Sequence, residues 1–302
     1  MGMFKLYGRL KMGFGSFDDL INEVTVNGKL NRYDFSKTSV VTAAIGRWYD
    51  MSLQNGLPVA NPYTAETTNL KFRALYDTDG MGMWHGGNVS PDTKHLLNIG
   101  AFGNTATSVP SVLQLVDILG YYPITTVTTT TAQTLNNTVT LPRYTNGAGV
   151  RAYLVARGTM GAGTPNITIN YTNQDGVSGR TNPVTVTAVT AAFTGHIVHS
   201  DPTANHYGCF IPLAQGDSGI QSIQSITLSA TMTSGSLALV LCKPLTSLPI
   251  TVLGVQSERN LLNQLPSMPQ IYDGANLNFL LFTGAAYAPG GTITGFIECA
   301  NG

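Results

Sequence analysis

Five histidines, His85, His95, His196, His199 and His206, are the residues of this chain best suited to metal or acid–base chemistry. The last three lie close together in the chain, with Asp201 among them. Imidazoles plus a carboxylate can hold zinc or iron. On a strand, side chains three positions apart point to opposite faces, so His196 and His199 reach one ion only if the chain turns between them. The plainer expectation is loop or interface histidines and no resident metal, although a site on a symmetry axis would need only one histidine per subunit.

Gly216-Asp-Ser-Gly219 is the phrase that surrounds the nucleophile of chymotrypsin-like proteases. That mechanism needs a histidine base beside the serine and a buried carboxylate behind the histidine. Those enzymes carry the histidine in Thr-Ala-Ala-His, whereas the similar stretch here, Thr42-Ala-Ala-Ile45, ends in isoleucine, and the glycine expected after the motif is Ile220. The motif reads more simply as a polar turn before a strand. Trp84-His85-Gly86-Gly87 could line a pocket, because glycine permits close approach and tryptophan stacks on a sugar or base. A turn glycine beside a core tryptophan is the commoner arrangement. No phosphate-binding loop, dinucleotide fingerprint or paired-carboxylate pattern is present, and Asp201 and Asp217 are the only acids from 177 to 256. The expectation is a protein with no catalytic residue and no cofactor.

The elements that would position these groups change character along the chain. Toward its start, Val41, Ala44, Ile45 and Trp48 recur at helical spacing after Asp34 and Ser36, and Asn55-Gly56 would stop that helix. Ser90-Pro91 would start a short helix carrying His95, Leu96 and Leu97. Ser108 and Pro110 would start another, apolar on most of its circumference and ending at Gly120. From Tyr121 onward, short strand-like runs alternate with turn residues. Strands are expected at 124–131, 138–141, 150–156, 166–172, 183–188, 208–212, 223–232, 237–242, 277–282 and 293–299, with a short helix over Leu261 to Met268. The best hairpin joins 166–172 to 183–188 through Asn173-Gln-Asp-Gly176. The fold class is therefore mainly β. A jelly-roll-like β-sandwich would span 121–302, and a smaller mixed α+β region, serving contact or anchoring, would span 1–120.

Charge is scarce and uneven. Charged residues are 11% of the chain, against about 25% in an average globular protein, and the formal net charge is zero. That balance offers nothing to attract nucleic acid or an anionic membrane over long range. Residues 1–100 carry ten Lys/Arg and nine Asp/Glu, whereas 101–302 carry only six and seven. Interface cores are depleted in charge, so the later two thirds suits burial against neighbouring subunits. A neutral, threonine-rich β surface facing water is the alternative, since 19 of the 80 residues from 121 to 200 are threonine. In a charge-poor surface an arginine is a natural anchor, which singles out Arg151, Arg157 and Arg180 as interface candidates.

Cys209, Cys242 and Cys299 fit neither a disulfide framework nor a zinc motif and read as small buried hydrophobes. The first residues contain no uninterrupted apolar stretch of a secretory signal, and Leu6 stands where N-myristoylation wants Ser or Thr. No window supplies the ~18 apolar residues a spanning helix requires. A protein made and folded in a cytoplasm is expected, with the sequons at Asn88, Asn136, Asn166 and Asn170 incidental to an Asn/Thr-rich composition.

Asn170-Tyr-Thr-Asn-Gln-Asp-Gly-Val-Ser-Gly-Arg-Thr181, Gly219-Ile-Gln-Ser-Ile-Gln-Ser-Ile-Thr-Leu-Ser229, Leu237-Ala-Leu-Val-Leu-Cys-Lys-Pro-Leu245 and Leu261-Leu-Asn-Gln-Leu-Pro-Ser-Met-Pro269, followed by Tyr272-Asp-Gly274, resemble structural proteins of tailed-bacteriophage virions. The resemblance covers about residues 150–302, rests on phrases rather than a catalytic signature, and transfers no functional residue. It implies a virion component, capsid-associated, of the decoration, cement or minor-capsid kind. Its partners would be itself, as a homo-oligomer such as a trimer, and other virion proteins. The alternative is a tail or fibre module that binds a receptor or glycan, for which Trp84, Tyr121, Tyr122 and Tyr207 are the candidate aromatic platforms.

Overall fold

The computed structural model describes residues 13–42, 44–61, 63–105, 109–183, 186–189, 192–200, 208–262, 268–286 and 288–302. Asp201, His206, Tyr207 and the expected helix cap Ser108 lie outside them. A single turn of helix, α1 (Phe17–Ile21), is capped by the Ser16 hydroxyl and runs into a π turn ending at Val26. Strands numbered β1 to β17 in chain order then build three antiparallel sheets.

The first sheet holds β1 (Leu30–Thr38), β3 (Asn55–Leu57), β5 (Lys94–Gly103), β14 (Ser257–Asn260), β15 (Gln270–Ile271) and β17 (Thr292–Asn301), in the order β14-β5-β17-β1-β3 with β15 also on β5. The central sheet holds β2 (Arg47–Asp50), β4 (Arg73–Ala74), β6 (Ser111–Ile124), β8 (Arg151–Ala156), β13 (Leu237–Ile250) and β16 (Leu277–Thr283), in the order β2-β16-β6-β13-β8 with β4 on β6. The third sheet holds β7 (Gln133–Thr134), β9 (Asn166–Asn173), β10 (Arg180–Thr181), β11 (Val186–Thr187) and β12 (Ile220–Leu228), in the order β10-β9-β12-β7 with β11 on β9.

Two long strands organise the packing. β6 and β13 pair from Leu237↔Ile124 to Ile250↔Ser111, with register shifts near Gly120 and near Val116. At one end of this ribbon Leu113, Leu115, Leu248 and Ile250 pack with Phe35, Ile99 and Ile297 of the first sheet. At the other end Leu119, Tyr122, Leu237 and Leu239 pack with Ile169, Tyr171, Ile223 and Ile226 of the third. The opposite face of the same strands, Val116, Ile118, Tyr121, Ala238 and Val240, forms a third core. Bridges Tyr49↔His196 and Val155↔Ile197 link the two edges of the central sheet and close it around that core. The sandwich expectation holds, built twice on one shared ribbon.

This arrangement explains where the sequence misleads. Ser111–Ile124 is strand β6, not a helix. It is apolar all round because both its faces are buried, and a buried strand of that kind carries no alternation to distinguish it from a buried helix. The boundary expected at residue 120 falls inside β6, and β1 and β5 both pair with β17, so the first hundred residues are woven into the sheets of the last. The helix expected after Asp34 is instead the end of β1, a loop and β2, and His95 to Leu97 belong to β5. None of 125–131, 138–141 and 208–212 is strand, while residues 263–267 of the expected Leu261 to Met268 helix lie outside the described residues. Strands β8, β9, β12, β16 and β17 and the start of β13 stand where alternation places them.

Candidate interaction surface

Much of the polar chemistry is turned inward. Asp50 is fully buried and accepts hydrogen bonds from the hydroxyls of Tyr63 (2.6 Å) and Tyr153 (2.7 Å) and from the Ser52 N–H (2.8 Å). Burial raises the Asp50 carboxyl, and those bonds oppose the rise. Nearer the first sheet, the buried Lys37 ammonium donates to the carbonyls of Gln54 (2.8 Å) and Pro58 (2.7 Å), and burial lowers it to about 8. Arg143 and Asp117 form a buried two-pronged ion pair at 2.8 and 2.7 Å. Arg143 also donates to the Leu75 carbonyl at 3.1 Å, and Asp117 accepts the Asn276 N–H at 2.9 Å. These groups fasten strands to loops inside the protein, since a buried charge persists only when paired and hydrogen-bonded.

Gly216 to Gly219 is likewise a fastening. Asp217 accepts from Tyr171 Oη (2.6 Å), Asn173 Nδ2 (2.8 Å) and Arg180 Nε (2.9 Å). The Arg180 guanidinium and the other donors hold the Asp217 carboxyl at about 2. Ser218 is exposed, and its N–H donates to Gln174 Oε1. Gly219 is required sterically, because a Cβ there would stand 1.9 Å from the Gly147 carbonyl oxygen. In a protease the serine of this phrase stands beside a histidine base, whereas the Ser218 N–H donates to Gln174. Its neighbour Asp217 binds a tyrosine, an asparagine and an arginine.

His85, His196, His199 and the three cysteines are packing residues in the same sense. His196 stacks on Tyr49 at 5.1 Å, and His199 accepts the Leu154 N–H. His85 is buried, its Nε2 facing the Ala275 carbonyl and its Nδ1 facing Lys94 Nζ, and burial lowers it to about 4. Among the described residues no three His, Cys, Asp or Glu side chains converge as metal ligands. Cys209, Cys242 and Cys299 are buried free thiols, as their spacing suggests.

The three arginines are not brought together. Arg151 and Arg157 flank the two ends of β8, while Arg180 lies on β10 of the third sheet and is held by Asp217. Arg157 is half-buried, and its Nε is buried without a hydrogen-bond partner. Of the four candidate aromatic platforms, Tyr121 and Tyr122 are in the core, Tyr207 lies outside the described residues, and Trp84 is 62% exposed beside His85. Sequence reasoning missed the exposed apolar side chains. Val252, Leu253 and Val255 project from one turn after β13, each more than 40% exposed, and Leu57 and Val59 stand at and beyond the edge strand β3.

A cleft of about 590 Å³ opens between the loops 89–93, 142–146 and 270–273. Tyr144 and Tyr272 meet in it edge to face, ring centroids 4.7 Å apart and planes at 69°. Tyr144 adopts φ +49°, a left-handed conformation uncommon outside glycine. Asp273 accepts the N–H groups of Val89 (2.9 Å) and Ser90 (3.2 Å), which ties two of the three loops together.

No family model matches this chain, and no curated protein does. Among solved structures it is similar to the VP2 subviral particle of infectious bursal disease virus, at 9% identity and a TM-score of 0.18, covering 93% of this chain and 85% of that one. It is similar to the Gt strain of the same virus at 10% identity and a TM-score of 0.18, covering 93% and 86%. It is also similar to T=1 particles derived from that virus, at 10% identity and a TM-score of 0.16, covering 93% and 82%. None of these three is a tailed-phage protein, and TM-scores this low carry no argument about what the present chain is or does.

Proposed function

We propose that this chain is a non-enzymatic structural protein of a virion, capsid-associated in the manner of a decoration, cement or minor-capsid protein, and that it works as a homo-oligomer. The observation that carries the reading is how little charge residues 101–302 leave for water. Of their thirteen charged residues, Asp117 and Arg143 are paired in the core and Asp217 is spent on Arg180. Exposed Val252, Leu253 and Val255 add an apolar turn to that surface. Uncharged surface with projecting apolar side chains suits contact with neighbouring subunits rather than long-range attraction of nucleic acid or lipid. Arg151 and Arg157 are the arginines in position to anchor such contacts. The tailed-phage likeness of residues 150–302 supports a virion location and synthesis in a host cytoplasm.

Light scattering of the purified protein across a dilution series tests the proposal. A trimer or larger closed oligomer that survives dilution is expected, and a soluble monomer at every concentration would overturn it.

A further inference from the structure

We infer that the cleft between loops 89–93, 142–146 and 270–273 binds a neutral carbohydrate, with the ring of Tyr272 as the stacking platform. At about 590 Å³ the cleft is within the ~300–1,000 Å³ range of small-molecule sites. The charged side chains that line it, Asp92, Asp273, Lys94 and Arg143, sum to zero, and each already has a partner. Asp92 takes Lys29 at 2.8 Å, Asp273 takes two backbone N–H groups, Lys94 takes His85 and the Gly87 carbonyl, and Arg143 takes Asp117. An ionic ligand would have to displace one of these pairs. A ligand of hydroxyl groups and apolar C–H faces would not.

The wall that remains suits such a ligand. Tyr272 is exposed, and Tyr144 packs against it edge to face. Tyr144 is itself largely buried, with Lys243 Nζ 5.3 Å from its ring centre and its left-handed backbone held by the turn in which the Gly147 N–H donates to its carbonyl at 2.7 Å. Strained backbone of this kind persists only where the surroundings hold it, and it concentrates at ligand sites. Tyr272 is fixed from behind by its own turn, in which the Ala275 N–H donates to its carbonyl, and by the Asp273 clamp on the next residue. A platform held before the ligand arrives loses little freedom on binding. Exposed Thr145 and Asn146 stand on the facing loop as neutral hydrogen-bonding groups.

This goes beyond the assembly reading and stands or falls independently of it. The test is an array of neutral and anionic oligosaccharides probed with the full chain, with every hit repeated as free mono-, di- and tetrasaccharide by calorimetry. Binding of neutral glycans is expected, weakened about tenfold by Tyr272→Ala, the scale of one lost aromatic contact, and largely kept by Tyr272→Phe. Retention of the tetrasaccharide alone points to a surface polysaccharide, and retention of the monosaccharide to a free sugar. The inference is overturned if no neutral glycan binds, if only anionic glycans bind, or if Tyr272→Ala leaves affinity unchanged. A Tyr272→Ala protein with an altered oligomeric mass would overturn it too, because the cleft would then belong to a neighbouring subunit. Equal melting temperatures for the two variants exclude misfolding as the cause of any loss.

Discussion

Asp217 and Asp117 carry most of the residue-scale argument. The folded-state carboxyl of Asp217 lies at about 2, below its ordinary value of 3.8, so its clamp on Tyr171, Asn173 and Arg180 contributes stability above about pH 4. That contribution fades as pH falls through about 2. The melting temperature of Asp217→Asn should therefore lie below that of the parent at pH 6, and the gap should close on acidification to pH 2. A gap independent of pH would show that the carboxylate charge is not what binds these partners. For the buried pair, Arg143→Leu leaves the buried Asp117 carboxyl without its counter-charge and hydrogen-bond donor and should cost ~3–5 kcal/mol in urea unfolding. The double change Asp117→Leu/Arg143→Leu should recover some of this. Recovery stays incomplete because the Leu75 carbonyl and the Asn276 N–H lose their partners. Neither role was legible in the sequence. Gly216 to Gly219 read as a polar turn, which said nothing about the partners of Asp217, and Asp117 lay within a stretch read as a mostly apolar helix.

At the scale of elements, legibility followed exposure. Strand β9 reads e-B-e-B from Asn166, one face in the core and one toward water, so alternation located it from sequence. Strand β6 is buried on both faces, so its composition reports burial but not backbone geometry. The loop 216–219 makes an element-level prediction. Gly219→Ala pushes a Cβ to within 1.9 Å of the Gly147 carbonyl oxygen and must force the two backbone segments apart, which should lower stability by ~1–3 kcal/mol. Ser218→Ala, at an exposed position in the same motif, should change stability by less than about 0.5 kcal/mol. Chemical denaturation of the two variants side by side separates a steric turn from a reactive serine. If Gly219→Ala is as stable as the parent, the close approach of the 147–149 loop is not a constraint on the fold.

At the scale of the whole molecule, three sheets share one ribbon, and the surface they leave is poor in charge. Leu253→Asp adds a charge to the apolar turn at 252–255 and should shift the light-scattering mass toward the monomer without lowering the melting temperature of the isolated subunit. An unchanged oligomer would remove that turn from the interface and leave Arg151 and Arg157 as the surfaces to test. Composition by itself determined the β-rich class, the inward cysteines and the scarcity of charge, because these follow from local propensity and from counting. Tertiary structure alone decided that β1 and β17 pair in one sheet and that β6 is a strand. It alone joined Asp217 to Arg180 and set Tyr144 against Tyr272. Each of these joins residues distant in sequence, and no local period or spacing encodes which distant partner a strand or a carboxylate will meet.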